Sequence, residues 1–230
     1  MSEAVAANLQ FIQNKVEQAA CRVGREPDSV KLLVVSKTWP VESISEVVDA
    51  GHICFGENKV QEVLEKAPVL PEFLEWHLIG HLQRNKVRKL LPLCGTIHSI
   101  DSLKLARYIA NIAAELDRQP DVYLQVNLAS EESKNGYDCQ ELERDFEDLL
   151  MLESLNIQGL MCIPPAVDSP ELARPWFVKL REIRDRLEDC YGCKLPGLSM
   201  GMSRDFEVAI EEGATIVRVG SAIFGSRRYL

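Results

Sequence analysis

Residues 31–39 read KLLVVSKTW, an apolar run that ends in a serine and a lysine. The run is short and rich in valine and leucine, which is typical of a strand buried on both faces. Similar runs recur along the chain with amphipathic stretches between them. Together they lie at residues 31–36, 52–56, 76–80, 96–100, 122–127, 157–163, 195–200 and 215–220. Such alternation predicts an α/β fold with a parallel sheet.

Helical patterns occupy the intervals between these runs. They include residues 41–50, 102–117, 140–151 and 171–190. Ser102 stands where an N-cap is expected, and Gly213 closes the helix before the last strand. Eight strand and helix alternations predict a single (β/α)8 TIM barrel over residues 1–230. A doubly wound open sheet is the alternative, although the sequence has no GxGxxG to support its usual dinucleotide use.

An extra helix is predicted before the first strand. Its apolar stripe is spaced at helical intervals and consists of Val5, Leu9, Ile12, Val16 and Val23. Gly24 and Pro27 end it. We expect this helix to flank the barrel or cover one of its ends.

Composition excludes several classes of function. The chain has 230 residues, of which 46% are hydrophobic and 27% charged, as in one soluble domain. Its formal charge of -9 argues against binding to nucleic acid or to anionic membranes. No apolar run approaches the roughly 20 residues of a spanning helix, and residues 1–6 lack the pattern of a secretory signal. We therefore expect a cytoplasmic protein.

The seven cysteines do not suggest a disulfide framework, so we expect most of them to be reduced and buried. Cys54 and Cys162 lie in apolar runs and are predicted to be core residues. Cys190 and Cys193 form a CxxC, but the surrounding sequence indicates a helix that ends in a turn. A redox or metal role there is the lesser alternative.

In a (β/α)8 barrel the active face is built from residues at the C-terminal ends of the strands. Lys37 follows the first predicted strand, where it is either a solvated charge or an amine for imine formation. Asn58 follows the second. Arg218 stands within the last apolar run, and a buried arginine needs either an ion-pair partner or a ligand.

Two loops near the end of the chain have the composition of phosphate-binding segments. They are SMGMSRD at 199–205 and VRVGSAIFG at 217–225. Gly201 and Gly220 would let backbone N–H groups approach an anion, and Ser203 and Ser221 are either ligand contacts or ordinary helix caps. An imine-forming lysine opposite a phosphate cradle suits a phosphorylated aldehyde such as pyridoxal 5'-phosphate (PLP).

Five motifs then carry a resemblance over nearly the whole chain. They are VSKTWP, FGENKVQE, WHLIGHLQRNK, GLSMGMSRDFEVAI and VRVGSAIFG. In order and spacing they resemble the YggS/PROSC family of PLP-binding proteins involved in PLP homeostasis. The resemblance implies a barrel similar to the N-terminal barrel domain of alanine racemase.

The resemblance also implies a role for each matching position. Lys37 would form the internal aldimine, so that PLP is covalently bound, and Arg218 would face the pyridine nitrogen. Asn58 would line the ring. The phosphate would be held mainly by backbone donors of Ser199, Met200, Gly220 and Ser221. Gln83 and Asn85 would shape the rim of the site. By contrast, His77 and His81 stand four residues apart in a strand pattern, which argues against a metal pair.

The family is generally considered to lack an established catalytic activity. We therefore expect this protein to store, deliver or buffer PLP, and we expect it to be a monomer. Arg218 is donor-only and would leave the pyridine nitrogen unprotonated, which disfavours carbanion chemistry. We also expect no second domain after Leu230 to supply an opposing base. The alternatives are a PLP-dependent racemase or lyase and a Schiff-base aldolase acting on a sugar phosphate. Candidate partners are PLP-dependent apo-enzymes and a regulatory protein docking on the basic helix after His81.

Overall fold

A computed structural model describes residues 2–129 and 135–225. Its eight strands are parallel and close into a barrel, because each strand pairs with the next and the eighth pairs with the first. The strands are β1 Lys31–Val35, β2 Cys54–Glu57, β3 Glu75–Leu78, β4 Thr96–Ile100, β5 Asp121–Gln125, β6 Asn156–Met161, β7 Gly197–Met202 and β8 Ile216–Val219. The predicted (β/α)8 barrel is confirmed, and the open-sheet alternative is wrong.

Helices lie outside the barrel and connect its strands. They are α1 Ser2–Arg22, α2 Val41–Asp49, α3 Val60–Lys66, α4 Val87–Leu90, α5 Leu103–Glu115, α6 Cys139–Leu150, α7 Arg174–Tyr191, α8 Phe206–Glu211 and α9 Ser221–Phe224. The Ser102 side chain accepts a hydrogen bond from the Leu105 N–H, as expected of an N-cap. Gly213 has a φ of +98° just after α8, a conformation that favours glycine. None of the described helices combines the length and the apolar character needed to cross a bilayer.

The apolar residues of the strands divide between two separate layers. In β1, Leu32 and Val34 face the helices, whereas Leu33 and Val35 point into the barrel. The inner apolar group is small and consists of Leu33, Val35, Cys54, Ile79, Tyr123, Met161 and Ile216. The barrel interior therefore keeps room for buried polar side chains.

Several predicted boundaries differ from the observed ones by a few residues, most notably those of the seventh strand and of the helix at 171–190. The predicted strand at 195–200 is β7, which runs on to Met202. The predicted helix at 171–190 divides into a 3-10 turn, Pro170–Ala173, and α7. Pro175 accounts for the division, because proline is tolerated in the first turn of a helix but not further in.

α1 packs on the flank of the barrel against α8 and α9. Leu9, Ile12 and Val16 are buried, as the apolar stripe predicts. Val23 lies beyond the end of the helix and is 42% exposed, so its place in the stripe was wrong. Lys15 and Arg22 pair with Glu207 of α8 at 2.7 and 3.0 Å, which fixes the helix at its polar edge.

The cysteines are unpaired, and Cys54 and Cys162 are buried as predicted. Cys94 is also buried, but the other four are partly or fully exposed, so the expectation that most cysteines are buried is wrong. Cys190 and Cys193 stand at the end of α7, where Gly192 adopts a left-handed φ of 62°. The CxxC is thus a helix terminus that runs into a turn.

Candidate active site

A cavity of about 730 Å³ opens at the C-terminal ends of the strands. Most of its walls come from the loops that follow β1, β2, β3, β5, β6, β7 and β8. Of the seven site residues predicted from the sequence, five line it: Lys37, Asn58, Arg218, Gly220 and Ser221. The barrel thereby brings together residues that are up to 184 positions apart in the chain.

Lys37 follows β1 and is partly buried at the cavity wall. Its two neighbours in the chain are both held by side chains of α3. The Ser36 carbonyl accepts a hydrogen bond from Lys66 Nζ at 3.0 Å, and the Thr38 N–H donates to Glu62 Oε2 at 2.6 Å. Thr38 has a φ of +67°, which is costly for a β-branched residue and persists where surrounding contacts impose it. The backbone that carries Lys37 is therefore fixed on both sides.

These contacts, together with the buried carboxylate of Glu57, form an anchor for Lys37 that consists of Glu57, Glu62 and Lys66. Glu57 is fully buried, and its Oε1 accepts from Lys66 Nζ and from Ser36 Oγ, each at 2.7 Å. Lys66 Nζ also pairs with Glu62 at 2.7 Å. Burial raises the pKa of Glu57 to about 7 despite these bonds. Sequence reasoning missed this anchor, because Glu62 and Lys66 have the spacing of an ordinary surface pair on a helix.

Arg218 forms part of the cavity floor and is 4% exposed. Its guanidinium donates to Ser199 Oγ at 2.7 Å and to the Cys162 carbonyl at 2.8 Å. Burial lowers its pKa, yet an arginine keeps its charge in proteins. No carboxylate forms an ion pair with Arg218 within 2–129 and 135–225, so the expected alternative of a structural ion pair is not found there. The floor thus carries a positive charge held by neutral groups.

A row of hydrogen bonds leads from Arg218 down through the barrel. Ser199 Oγ lies 2.8 Å from His98 Nδ1, and His98 Nε2 lies 2.8 Å from His77 Nδ1. His77 Nε2 in turn lies 3.4 Å from Cys54 Sγ. All five side chains are buried. The row therefore links the cavity floor to the N-terminal end of the barrel.

Arg218 can only donate, so Ser199 accepts from it, and each member of the row has a partner in the following arrangement. Ser199 accepts from Arg218 and donates its proton to His98 Nδ1. His98 then donates from Nε2 to His77, and His77 donates from its own Nε2 to the Cys54 sulfur. Burial lowers the pKa of His77 to about 4 and that of His98 well below its usual range, so both rings are neutral at pH 7.

Ser199 and Met200 are not among the cavity's lining residues. Both are fully buried: Ser199 lies beneath Arg218, and Met200 packs in the outer apolar layer. The reason is the length of β7, which continues two residues beyond its predicted end at Met200, so both residues lie within the strand instead of at its end. The segment that reaches the cavity comes slightly later and contains Met202, Ser203, Arg204 and Asp205.

The two terminal loops are joined directly. The Gly220 N–H donates to Ser203 Oγ at 3.3 Å, so Ser203 is engaged across the site and does not cap α8. Asp205 Oδ1 accepts from the Met202 N–H at 2.6 Å. A Cβ at Gly220 would lie 2.8 Å from the Val35 carbonyl, which leaves room only for glycine. Gly201, with a φ of +91°, instead permits close packing against Ala209 of α8.

The rim contains further residues that the sequence did not single out. Trp39 stacks on Phe224 with a centroid distance of 5.2 Å, and the proline-rich loop after β6 forms one wall. His81 is exposed at the rim, 3.3 Å from Asp101, whereas His77 points into the barrel. The two histidines are thus separate, as expected. Gln83 and Asn85, expected at the rim, are exposed and do not line the cavity.

Comparison with known proteins identifies the family of the chain. Residues 2–228 match the family described as alanine racemase, N-terminal domain. A pyridoxal phosphate homeostasis protein of Aquifex aeolicus (strain VF5) is 47% identical over 96% of this chain and 97% of its own length. A protein of the same name from Escherichia coli (strain K12) is 39% identical over 98% and 97%, respectively.

Solved structures show the same relationship. The chain is similar to PipY of Synechococcus elongatus PCC7942 with PLP bound, at a TM-score of 0.84 and 38% identity over 96% of this chain and all of that one. An alanine racemase of Clostridium difficile 630 is similar in fold, at a TM-score of 0.77 and 16% identity, over 98% of this chain and 57% of that one. The chain belongs to the family of pyridoxal phosphate homeostasis proteins.

Proposed function

We propose that this protein binds PLP in the cavity at the C-terminal end of the barrel and serves the supply of that cofactor. The observation that carries the proposal is the juxtaposition of Lys37, Arg218 and the joined loops of Ser203 and Gly220 around one cavity. The lysine amine suits the aldehyde of a phosphorylated pyridine aldehyde, the buried arginine suits its ring nitrogen, and the closely approaching backbone suits its phosphate. The homeostasis proteins named above and the PLP-bound PipY structure support the assignment.

In this proposal Lys37 attaches the cofactor covalently. Its Nζ would condense with the aldehyde carbon of PLP and release one water molecule. The anchor of Glu57, Glu62 and Lys66 would hold the backbone of Lys37 so that the amine stays at the cavity wall. Bound PLP supplies an electron-withdrawing ring, which is the source of its chemistry in enzymes.

Arg218 would face the pyridine nitrogen, and Asn58 would line the ring. Because Arg218 is charged and donor-only, it would donate to an unprotonated nitrogen and leave the ring a weak electron sink. Two of its five N–H donors already bind Ser199 and the Cys162 carbonyl, so its position is set before any ligand arrives. This favours holding the cofactor over stabilising a carbanion.

The phosphate would lie at the two terminal loops. Gly220 and Ser221 line the cavity and are proposed phosphate contacts. Ser199 and Met200 were expected to contribute as well, mainly through backbone donors, and Met202, Ser203 and Arg204 extend that candidate set toward the cavity. Arg204 is exposed and adds a cation next to the backbone donors.

We further propose that the protein is a cytoplasmic monomer that passes PLP to apo-enzymes or answers to a regulatory protein. The seven unpaired cysteines support a reducing compartment. The charge of -9 disfavours nucleic acid and anionic lipid as partners.

The direct test is titration of the purified protein with PLP. We expect the visible absorption of a lysine-linked cofactor at one equivalent, and its loss in Lys37→Ala. Lys59→Ala, at an exposed position near the site, is the matched control and should behave as wild type. Borohydride reduction followed by mass measurement should add one cofactor to the peptide that contains Lys37. An unchanged spectrum in Lys37→Ala refutes the attachment.

A separate experiment distinguishes a protein that supplies PLP from an enzyme that uses PLP in catalysis. The PLP-loaded protein is incubated in deuterated water with a panel of amino acids, and exchange at Cα is followed. We expect no exchange above that of free PLP. Sustained exchange at an enzymatic rate would identify a racemase or lyase instead.

A further inference from the structure

We propose that Cys54, Glu75 and His77 form a binding site for a soft divalent cation of the zinc class. The site lies at the N-terminal end of the barrel, opposite the cavity, because Cys54 and Glu75 are the first residues of β2 and β3. One ligand atom from each of the three residues lies within 4.8 Å of the other two. Thiolate, imidazole and carboxylate are the ligands that zinc takes in proteins. This proposal is independent of the one for PLP.

The spacing of the two buried ligands fits tetrahedral coordination. Cys54 Sγ and His77 Nε2 are 3.4 Å apart. Zinc–sulfur and zinc–nitrogen bonds of about 2.3 and 2.0 Å at a tetrahedral angle place these two atoms roughly 3.5 Å apart. Glu75 has a side chain that is 45% exposed, so its carboxylate can move the last distance without repacking the barrel. A water molecule would occupy the fourth position.

Solvent reaches the three ligands through two neighbouring cavities. One, of about 340 Å³, is lined by Cys54 and Glu75, and the other, of about 360 Å³, is lined by Glu75 and His77. A hydrated cation can therefore arrive at Glu75 and then lose water to the buried ligands. On binding, the Cys54 thiol loses its proton to solvent and the sulfur forms the new bond to the cation.

His77 also has the supporting hydrogen bond that is typical of metal-binding histidines. A ligating imidazole usually donates its other N–H to a fixed partner, which orients the ring. Here His98 Nε2 lies 2.8 Å from His77 Nδ1 and can accept that bond. Ser199 can then accept from both His98 and Arg218 with its two lone pairs. Cation binding would thus reverse the direction of hydrogen bonding in the buried row and turn the Ser199 hydroxyl proton away from His98.

Lys31 opposes the cation only weakly. Its Nζ pairs with Glu75 Oε2 at 2.8 Å, and both side chains are about half exposed. Ion pairs of this kind contribute little to stability, so Glu75 can exchange Lys31 for a divalent cation. We expect Lys31→Met to bind the cation more tightly than wild type.

The test uses Co²⁺ as a spectroscopic substitute for Zn²⁺ on the full chain. Cys190 and Cys193 are first replaced by serine, because their CxxC is a competing thiol pair at the surface. In this background we expect one equivalent of Co²⁺ to give a thiolate charge-transfer band and tetrahedral visible bands, which Zn²⁺ then bleaches. Cys54→Ser should abolish the charge-transfer band, and Glu75→Gln, at an exposed position that does not threaten folding, should weaken binding at least tenfold.

Cys94→Ser is the matched control. Its thiol is equally buried but bonds the carbonyls of Trp76 and Thr96 at 3.2 Å, away from the three ligands, so the Co²⁺ spectrum should not change. Failure of the folded background protein to bind Co²⁺ at micromolar concentration refutes the proposal. So does a charge-transfer band that persists in folded Cys54→Ser, or Co²⁺ affinity that is unaffected by Glu75→Gln.

Discussion

The buried side chains that hold Arg218 have the clearest consequences at the scale of single residues. Ser199 is both the acceptor for an Arg218 donor at 2.7 Å and the donor to His98 at 2.8 Å. Ser199→Ala leaves an Arg218 N–H and His98 Nδ1 without this partner, and a buried polar group that lacks a hydrogen bond destabilises the folded state. We expect the variant to lose about 1 to 3 kcal/mol in the free energy of unfolding, measured by urea denaturation.

The control for this substitution is Ser45→Ala. Ser45 Oγ bonds only the Val41 carbonyl of its own helix and is partly exposed, so the loss should stay within about 0.5 kcal/mol. Equal stabilities of the two variants would mean that Ser199 does not bridge Arg218 and His98.

The raised pKa of Glu57 predicts that the stability of the protein depends on pH. Burial raises its pKa from 4.5 to about 7, so between these values the folded protein holds a proton that the unfolded chain releases. The free energy of unfolding therefore decreases as the pH rises through this window. Relative to Glu57→Gln, wild type should lose on the order of 3 kcal/mol between pH 4.5 and 7.

Urea denaturation of both proteins across this range measures the effect. Glu65→Gln, an exposed position on the neighbouring helix α3, should instead follow the wild-type curve throughout. Parallel curves for wild type and Glu57→Gln would contradict a protonated Glu57 in the folded state.

At the scale of elements, β6 and β7 can pair closely because glycines, Gly159 and Gly197, face each other in the two strands. A Cβ at Gly159 would lie 1.8 Å from the Gly197 carbonyl oxygen, which belongs to the backbone of the paired strand. Neither strand can move without disturbing the closed barrel. Gly159→Ala should therefore cost at least about 3 kcal/mol or prevent soluble folding.

Gly95 offers the matched comparison, because a Cβ there meets nothing within 4 Å. Gly95→Ala should unfold at a urea concentration close to that of wild type, within about 0.5 kcal/mol in free energy. A Gly159→Ala protein with wild-type solubility and stability would show that the two strands are not so close.

For the whole molecule, sequence pattern was sufficient for the order of strands and for residues next to strand ends. Lys37, Asn58 and Arg218 were found because each stands in or directly after an apolar run, and a barrel gathers such positions at one end. Ser199 and Met200 were expected at the cavity because β7 was ended two residues early. A run of small residues such as SMGM gives no signal for where the strand stops.

The anchor of Lys37 and the buried row could not be predicted for a different reason. Their contacts join residues distant in sequence, such as His98 and Ser199, which are 101 positions apart. The register of neighbouring strands decides which of the inward-facing side chains meet, and one sequence without coordinates does not specify it. Residue type alone therefore suggested a site but not the network that supports it.

Ligand binding should stabilise the molecule as a whole, because the cavity proposed to bind PLP is assembled from loops after seven strands and exists only in the folded chain. A ligand at 100 times its Kd adds about 2.7 kcal/mol to the free energy of unfolding. For a chain of this size that corresponds to a rise in Tm of roughly 5 to 10 °C. Calorimetry at increasing PLP concentration should show this rise in wild type and its loss in Gly220→Ala, where a Cβ would meet the Val35 carbonyl. Adducts of PLP with surface lysines would form in both proteins, so an equal rise in the two would contradict specific binding at the cavity.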